Sequence, residues 1–195
     1  MPAAAPIRLL TREEYHKAAD AGVFRPEERL ELFEGEVIQK VSPQRRPHRK
    51  GVRRAALNLE RALGQSFVVW TQLPLVLSDY TEPEPDVMVL IGPEERYNDK
   101  DAEAGDVALI VEVADTTLQF DTVGKASRYA AAGIPDYWVL DVTNLQMRVY
   151  RKPSADNTAP YGFSYRDTEI LKAEDSIKPL ANLHVEISVR DLLQD

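Results

Sequence analysis

Two short apolar runs, residues 86–91 and 107–113, constrain this chain most, because each carries an acid that its surroundings disfavour. The first reads Asp-Val-Met-Val-Leu-Ile and opens on Asp86. The second reads Val-Ala-Leu-Ile-Val-Glu-Val and holds Glu112 near its end. Runs of this length and composition read as strands. Asp and Glu are depleted in strands and rarely fully buried without a partner. An ionised carboxylate there needs a cation or strong hydrogen bonds to offset its lost hydration. One reading is a metal site made by the two acids; the other is a strand end with a solvated acid. A polar turn, a short amphipathic helix and the run Asp-Tyr-Trp-Val-Leu-Asp-Val follow, so residues 82–142 carry most of the functional information.

The helix adds a third group. Asp121 is placed to cap it, and Gly133 with Pro135 to end it. Lys125, Arg128 and Tyr129 share one face by their i, i+3, i+4 spacing, and that face can lie over the carboxylates. Asp121, one turn before Lys125, can hold the ammonium or join a metal shell. Two acids and a lysine form a working set for phosphodiester hydrolysis. Hard oxygen ligands hold magnesium, with manganese as the alternative. The ion polarises the phosphate and acidifies a bound water, while the lysine orients that water or stabilises developing charge. The backbone carbonyl of Val113 is a further ligand candidate, since magnesium favours octahedral oxygen coordination.

The segments Glu-Pro-Asp-Val, Ile-Val-Glu-Val, Phe-Asp-Thr-Val-Gly-Lys and Tyr-Ala-Ala-Ala-Gly-Ile-Pro-Asp-Tyr-Trp-Val-Leu-Asp resemble the Uma2 family. These are restriction-endonuclease-like proteins of the PD-(D/E)XK nuclease superfamily. Weaker resemblance extends upstream to Arg-Leu-Glu-Leu-Phe-Glu-Gly-Glu-Val-Ile and Ser-Pro-Gln-Arg-Arg-Pro-His. The resemblance implies an α/β fold: a restriction endonuclease-like core with a central mixed sheet flanked by helices, and additional edge hairpins. It implies Asp86 and Glu112 as metal ligands and Lys125 as the catalytic lysine. The superfamily motif places its lysine two residues after the second acid, where this chain has Ala114. Lys125 on the following helix is then the migrated replacement. By the same resemblance His48 and Gln72 take supporting roles, Gln72 near Asp86. Superfamily members often supply a further acid from the N-terminal region, which draws attention to Glu31 and Glu34. Without that resemblance, both read as exposed strand and turn acids. Nucleases of this type often act as twofold dimers, so a homodimer is a further expectation.

Composition narrows the class. At 195 residues the chain suffices for one domain with a real core, and residues 1–195 read as one. No apolar run approaches a membrane span, and the N-terminus lacks the build of a signal peptide. The absence of cysteine agrees with a cytoplasmic setting, and the three histidines form no zinc spacing. A net charge of −8 argues against a general nucleic-acid binder. A groove responds to local charge, however, and Arg45, Arg46, Arg49, Lys50, Arg53 and Arg54 crowd into ten positions. They read either as a phosphate-facing surface or as a solvated helix face.

Local signals place the remaining elements. Thr11 with Glu14 forms a capping box for a short helix. Residues 29–33 and 36–41 read as a hairpin around Glu34-Gly35, and residues 48–63 as a helix ended by Gly64. Residues 67–71 and 73–77 read as strands, with Pro74 marking an edge or break. Residues 94–105 read as a mobile charged loop and residues 153–160 as a polar one. Hairpins are expected at 137–142 with 146–151, and at 161–165 with 168–171, and Ser188 with Asp191 caps a terminal helix. Tyr137 and Trp138 read as core aromatics on opposite faces of a strand.

The combined expectation is a magnesium-dependent endonuclease acting on DNA. Two rivals stand beside it: a catalytically silent nucleic-acid-binding or assembly protein on the same fold, and a metal-dependent hydrolase of a small phosphorylated substrate. Salt dependence separates the last from the others, because phosphate-contacting proteins lose DNA steeply as salt rises.

Overall fold

Strand-length apolar runs become a six-stranded sheet with helices on both faces. The computed structural model of the chain describes residues 7–40 and 45–193. In chain order, helix α1 (Arg12–Asp20) precedes strands β1 (Leu30–Phe33) and β2 (Glu36–Gln39) and the long helix α2 (Arg46–Leu63). Then come β3 (Phe67–Trp70), β4 (Leu75–Val76), β5 (Val87–Ile91), β6 (Ala102–Glu103) and β7 (Val107–Ala114). A π-helical turn (Phe120–Lys125) leads into α3 (Ala126–Ala131). Strands β8 (Asp136–Asp141), β9 (Gln146–Ala155), β10 (Phe163–Lys172), β11 (Ser176–Ile177) and β12 (Ile187–Ser188), with helix α4 (Val189–Leu193), follow.

The main sheet runs β10-β9-β8-β7-β5-β3. It is mixed: β7 and β8 pair parallel, and the other neighbours antiparallel. A parallel pair needs a crossover, and the turn through Phe120–Lys125 and α3 provides it. All eight residues of β7 are buried, as expected of a strand covered on both faces. Alternation along the strands sorts the core into two layers. Val87, Val89, Val111, Val113 and Trp138 pack with Val52, Ala55 and Leu59 of α2 and Leu192 of α4. Met88, Leu90, Ile110, Val139 and Tyr137 pack with Tyr129 and Ala130 of α3. Tyr137 and Trp138 are thus fully buried on opposite faces, as the strand period requires.

α2 lies close to β7 because residue 51 is glycine. A Cβ there would stand 2.8 Å from Val113 Cγ1 and 3.4 Å from Val142 Cγ1. Gly51→Ala is therefore expected to destabilise the protein. Overpacking costs about 1–3 kcal/mol, and the better helix propensity of alanine returns about 1 kcal/mol. Thermal unfolding of the variant checks this, with a raised Tm as the contrary result.

Several local expectations hold. The Thr11–Glu14 capping box forms, and the β1–β2 hairpin turns on Glu34 (φ 53°) and Gly35 (φ 78°), the two positive angles of a type I′ turn. Its second strand ends at Gln39, and Val41 lies outside the described residues. Others are corrected. Residues 161–165 and 168–171 do not make a hairpin: β10 is one strand paired along β9, and β9 itself continues to Ala155. The reversal sits in residues 156–162, where Asp156, Pro160 and Gly162 supply turn chemistry that Arg166-Asp167 lacks. The strand expected at 73–77 shrinks to β4, which pairs with β6 outside the main sheet. Residues 94–105 are not a bare loop. Tyr97 Oη donates to the Ile91 carbonyl at 2.6 Å, and Arg96 and Lys100 reach the buried Asp106 at 2.8 and 2.7 Å.

Candidate active site

The antiparallel register Val87↔Val111 sets Asp86, just ahead of β5, beside Glu112 and Val113 of β7. The Val113 N–H donates to Asp86 Oδ2 at 2.9 Å, and the Asp86 N–H approaches Glu112 Oε2 at 3.4 Å. A strand residue turns its N–H and C=O to the same side, so the Val113 carbonyl also faces the Asp86 side. His48 Nε2, in the first turns of α2, lies 3.1 Å from Asp86 Oδ2, and Gln72 Nε2 donates to Asp86 Oδ1 at 3.3 Å. Gln72 sits at φ 54°, a conformation costing a non-glycine residue about 1–3 kcal/mol. Its backbone N–H is fixed on the Pro85 carbonyl at 3.0 Å, which aims the amide at Asp86.

Glu112 points into the α3 layer. Its Oε1 accepts from Lys125 Nζ and from Tyr129 Oη, each at 2.9 Å. Lys125 also lies 3.7 Å from Glu31 Oε1, while Lys40 Nζ stands 3.5 Å from Glu31 Oε2 and donates to the Glu84 carbonyl at 2.7 Å. Glu31 is thus buried within the site, at 2% exposure, and is not the exposed strand acid that its local sequence suggests. The hairpin docks it there, with Leu32 bridged to Glu82. Glu34 instead stays partly exposed and pairs with Arg128 at 2.7 Å. Asp121 is buried but does not cap the helix, which begins at residue 118. It accepts from Thr117 Oγ1 at 2.5 Å, and its carbonyl takes the Tyr137 hydroxyl at 2.8 Å. A π turn is wider than an α turn and concentrates at functional sites; here it spans Asp121 and Lys125.

Glu31, Asp86, Glu112, Asp121 and Lys125 line one cleft of about 910 Å³, with His48, Lys40, Arg45 and Phe120. Burial pushes the Glu112 carboxyl up to about 7, and the neighbouring Asp86 and Asp121 charges add to this against the pull of Lys125. Burial acts the same way on Asp86, but the hydrogen bond and charge of His48, with Lys125 and the Val113 amide, bring it down to about 2. Burial also raises Asp121. Burial alone would lower His48, yet Asp86 holds it above its ordinary value. Lys125 is likewise raised despite burial, by Glu112, Glu31, Asp121 and Asp86. The cleft therefore favours positive charge.

Among the described residues no three carboxylates and histidines converge closely enough to hold an ion alone. The donor set is two adjacent carboxylates. Magnesium fits such a set, since it keeps several waters and is usually bound by one or two carboxylates together with substrate phosphates.

The basic cluster does not share one face. Arg45 lines the cleft, with Nε 3.9 Å from Asp115 Oδ2. Arg49 and Arg53, one turn apart, wall a groove of about 380 Å³ that also includes Thr71 and Gln72. Arg46 is exposed and Lys50 half-buried. Arg54 turns elsewhere and donates to the Leu193 carbonyl at 3.1 Å.

A family model described as "Putative restriction endonuclease", Uma2, matches residues 12–190. The chain belongs to the Uma2 family. No curated protein matches it. A solved structure, titled as that of a "putative nuclease belonging to DUF820" from Anabaena variabilis ATCC 29413, superimposes with a TM-score of 0.68 at 18% identity. The match covers 96% of this chain and 98% of that one, and it shows a shared fold. In this Uma2 chain Ala114 stands on the same face of β7 as Glu112 and packs in the α3-side core. The ammonium reaches Glu112 from the crossover helix instead. Local sequence gives no sign of Lys40 in the cleft, whereas the i, i+4 spacing already puts Tyr129 on the face of Lys125. Among the described residues no helix is long and apolar enough to cross a membrane.

Proposed function

We propose that this protein is a metal-dependent endonuclease that hydrolyses DNA phosphodiester bonds, with Asp86 and Glu112 as magnesium ligands. One observation carries the reading: two adjacent buried carboxylates, one held on Lys125 at 2.9 Å, line a cleft in a chain of the Uma2 family. Bound magnesium or manganese would supply polarisation of the phosphoryl oxygen and a water of lowered pKa. The Val113 carbonyl is a candidate third ligand. Lys125 places a positive charge where the phosphate gains negative charge. Glu31 and Asp121 keep that lysine ionised inside the protein, and His48 and Gln72 hold Asp86 in one rotamer. Arg45, Arg46, Arg49, Lys50 and Arg53 contact backbone phosphates. Arg54, already bonded to Leu193, contributes less. The protein works as a homodimer, which light scattering tests against a strictly monomeric mass.

Calorimetric titration of magnesium and manganese, with plasmid nicking on the same samples, decides the main point. Saturable metal binding with nicking is the expected result. DNA binding without any product would indicate a silent nucleic-acid-binding protein. Absence of duplex binding, with turnover of a small phosphate ester, would indicate a small-substrate hydrolase. Arg49→Ala and Arg53→Ala are each expected to weaken duplex binding irrespective of sequence and to flatten its salt slope by about 1. Arg54→Ala should flatten it less, and equal effects at all three positions would refute this placement.

A further inference from the structure

We propose that Tyr129 is a positioning residue for metal binding, its buried phenol fixing which oxygen of Glu112 is left for the ion. The inference rests on the reading of Asp86 and Glu112 as metal ligands. Tyr129 is fully buried, and its hydroxyl donates to Glu112 Oε1 at 2.9 Å, the oxygen that already takes Lys125 at 2.9 Å. A carboxylate oxygen accepts about two such bonds, so Oε1 is saturated. Among the described residues, Oε2 meets only the Asp86 N–H, at 3.4 Å. It is the oxygen on the Asp86 side, and the one that remains for a cation shared with Asp86.

A buried tyrosine needs a partner for its hydroxyl, but that partner need not be a carboxylate. Tyr137 uses the Asp121 carbonyl at 2.8 Å and Tyr165 the Ile134 carbonyl at 3.0 Å. Tyr129 spends its hydroxyl on the site. Its ring lies edge-on to Tyr137 with centroids 5.0 Å apart, which fixes the aim. Charge explains why the second donor is a phenol. Another ammonium on Oε1 would repel an incoming cation, whereas a neutral O–H orients the carboxylate without that cost.

Partners that orient a metal ligand are commonly worth 10–100-fold in metal affinity. Manganese and magnesium titrations of wild type, Tyr129→Phe and Tyr165→Phe form the test. Tyr165→Phe removes a comparable buried hydroxyl bonded to a backbone carbonyl, so it controls for lost stability. The expected result is metal affinity weakened about tenfold or more in Tyr129→Phe and unchanged in Tyr165→Phe. Equal affinity in wild type and Tyr129→Phe overturns the inference and leaves the metal reading standing. No binding by the wild type overturns the metal reading itself, and this inference with it. If Tyr129→Phe fails to fold, tyrosine difference absorption of the wild type decides. Metal taken up by Glu112 must perturb the phenol bonded to it, and a flat difference spectrum at saturating manganese overturns the assignment.

Discussion

Glu112→Gln is expected to reduce metal-dependent nicking to background and to remove calorimetrically detectable magnesium binding, while near-ultraviolet circular dichroism stays native. The substitution is isosteric, and its carbonyl oxygen can still accept from Tyr129 and Lys125. Lys125 keeps Glu31 at 3.7 Å, with Asp121 close enough to act on its charge, so it is not stranded. What disappears is half of the anionic donor pair. Retained nicking in folded Glu112→Gln would remove Glu112 from the site and with it the metal reading.

The same substitution carries a pH signature. Burial raises the folded carboxyl of Glu112 from 4.5 to about 7, so its ionisation opposes folding. The associated stability is complete below about pH 4.5 and is lost as pH rises through about 7, on the order of 3 kcal/mol in the metal-free protein. Asp86 has the opposite sign. Lowered from 3.8 to about 2, it contributes stability that is present above about pH 4 and lost as pH falls through 2. Metal-free wild type should therefore lose stability between about pH 4.5 and 7, and Glu112→Gln should lose much less of it. Urea unfolding at several pH values measures both slopes, and parallel curves would contradict the assignment. Metal competes with the proton on Glu112, so magnesium affinity should increase with pH up to about 7 and then level.

How much of this site was legible in the sequence depends on distance along the chain. Asp86 and Glu112 stood out because strands buried on both faces are apolar throughout, and an acid inside one violates the pattern. The spacing of Lys125 and Tyr129 placed both on one face, where they now share Glu112 Oε1. Glu31 is picked out by the resemblance and not by its own surroundings, because its burial comes from hairpin docking 53 residues from Glu84, whose N–H it accepts. Short alternation around Glu31 says nothing about what covers it. The capping role expected of Asp121 failed because the helix starts three residues earlier and then widens into a π turn, for which no composition rule exists. A run of basic residues does not say which face each one takes. Ten helical positions span more than two turns, so Arg49 and Arg53 can share a face while Arg54 points toward α4.

Lys125→Met separates holding a metal from using it. Removing the ammonium leaves Glu31, Glu112, Asp86 and Asp121 facing one cleft without their shared partner. Breaking a buried ion pair on one side costs about 3–5 kcal/mol. For a chain of this size, that corresponds to a Tm lower by roughly 10 °C or more without metal. Magnesium should recover part of the loss, because a divalent cation offsets the same carboxylates and no longer meets the repulsion of the lysine. Metal affinity is thus expected to equal or exceed that of the wild type, while nicking falls by about 10²–10³, the usual cost of losing a preorganised charge at the developing anion. Glu112→Gln loses binding and cleavage together; Lys125→Met loses cleavage alone. Nicking within tenfold of wild type in metal-loaded, folded Lys125→Met would make Lys125 a structural counter-ion. The catalytic charge would then have to come from another cleft cation, with Lys40 and Arg45 as the candidates lining the same wall.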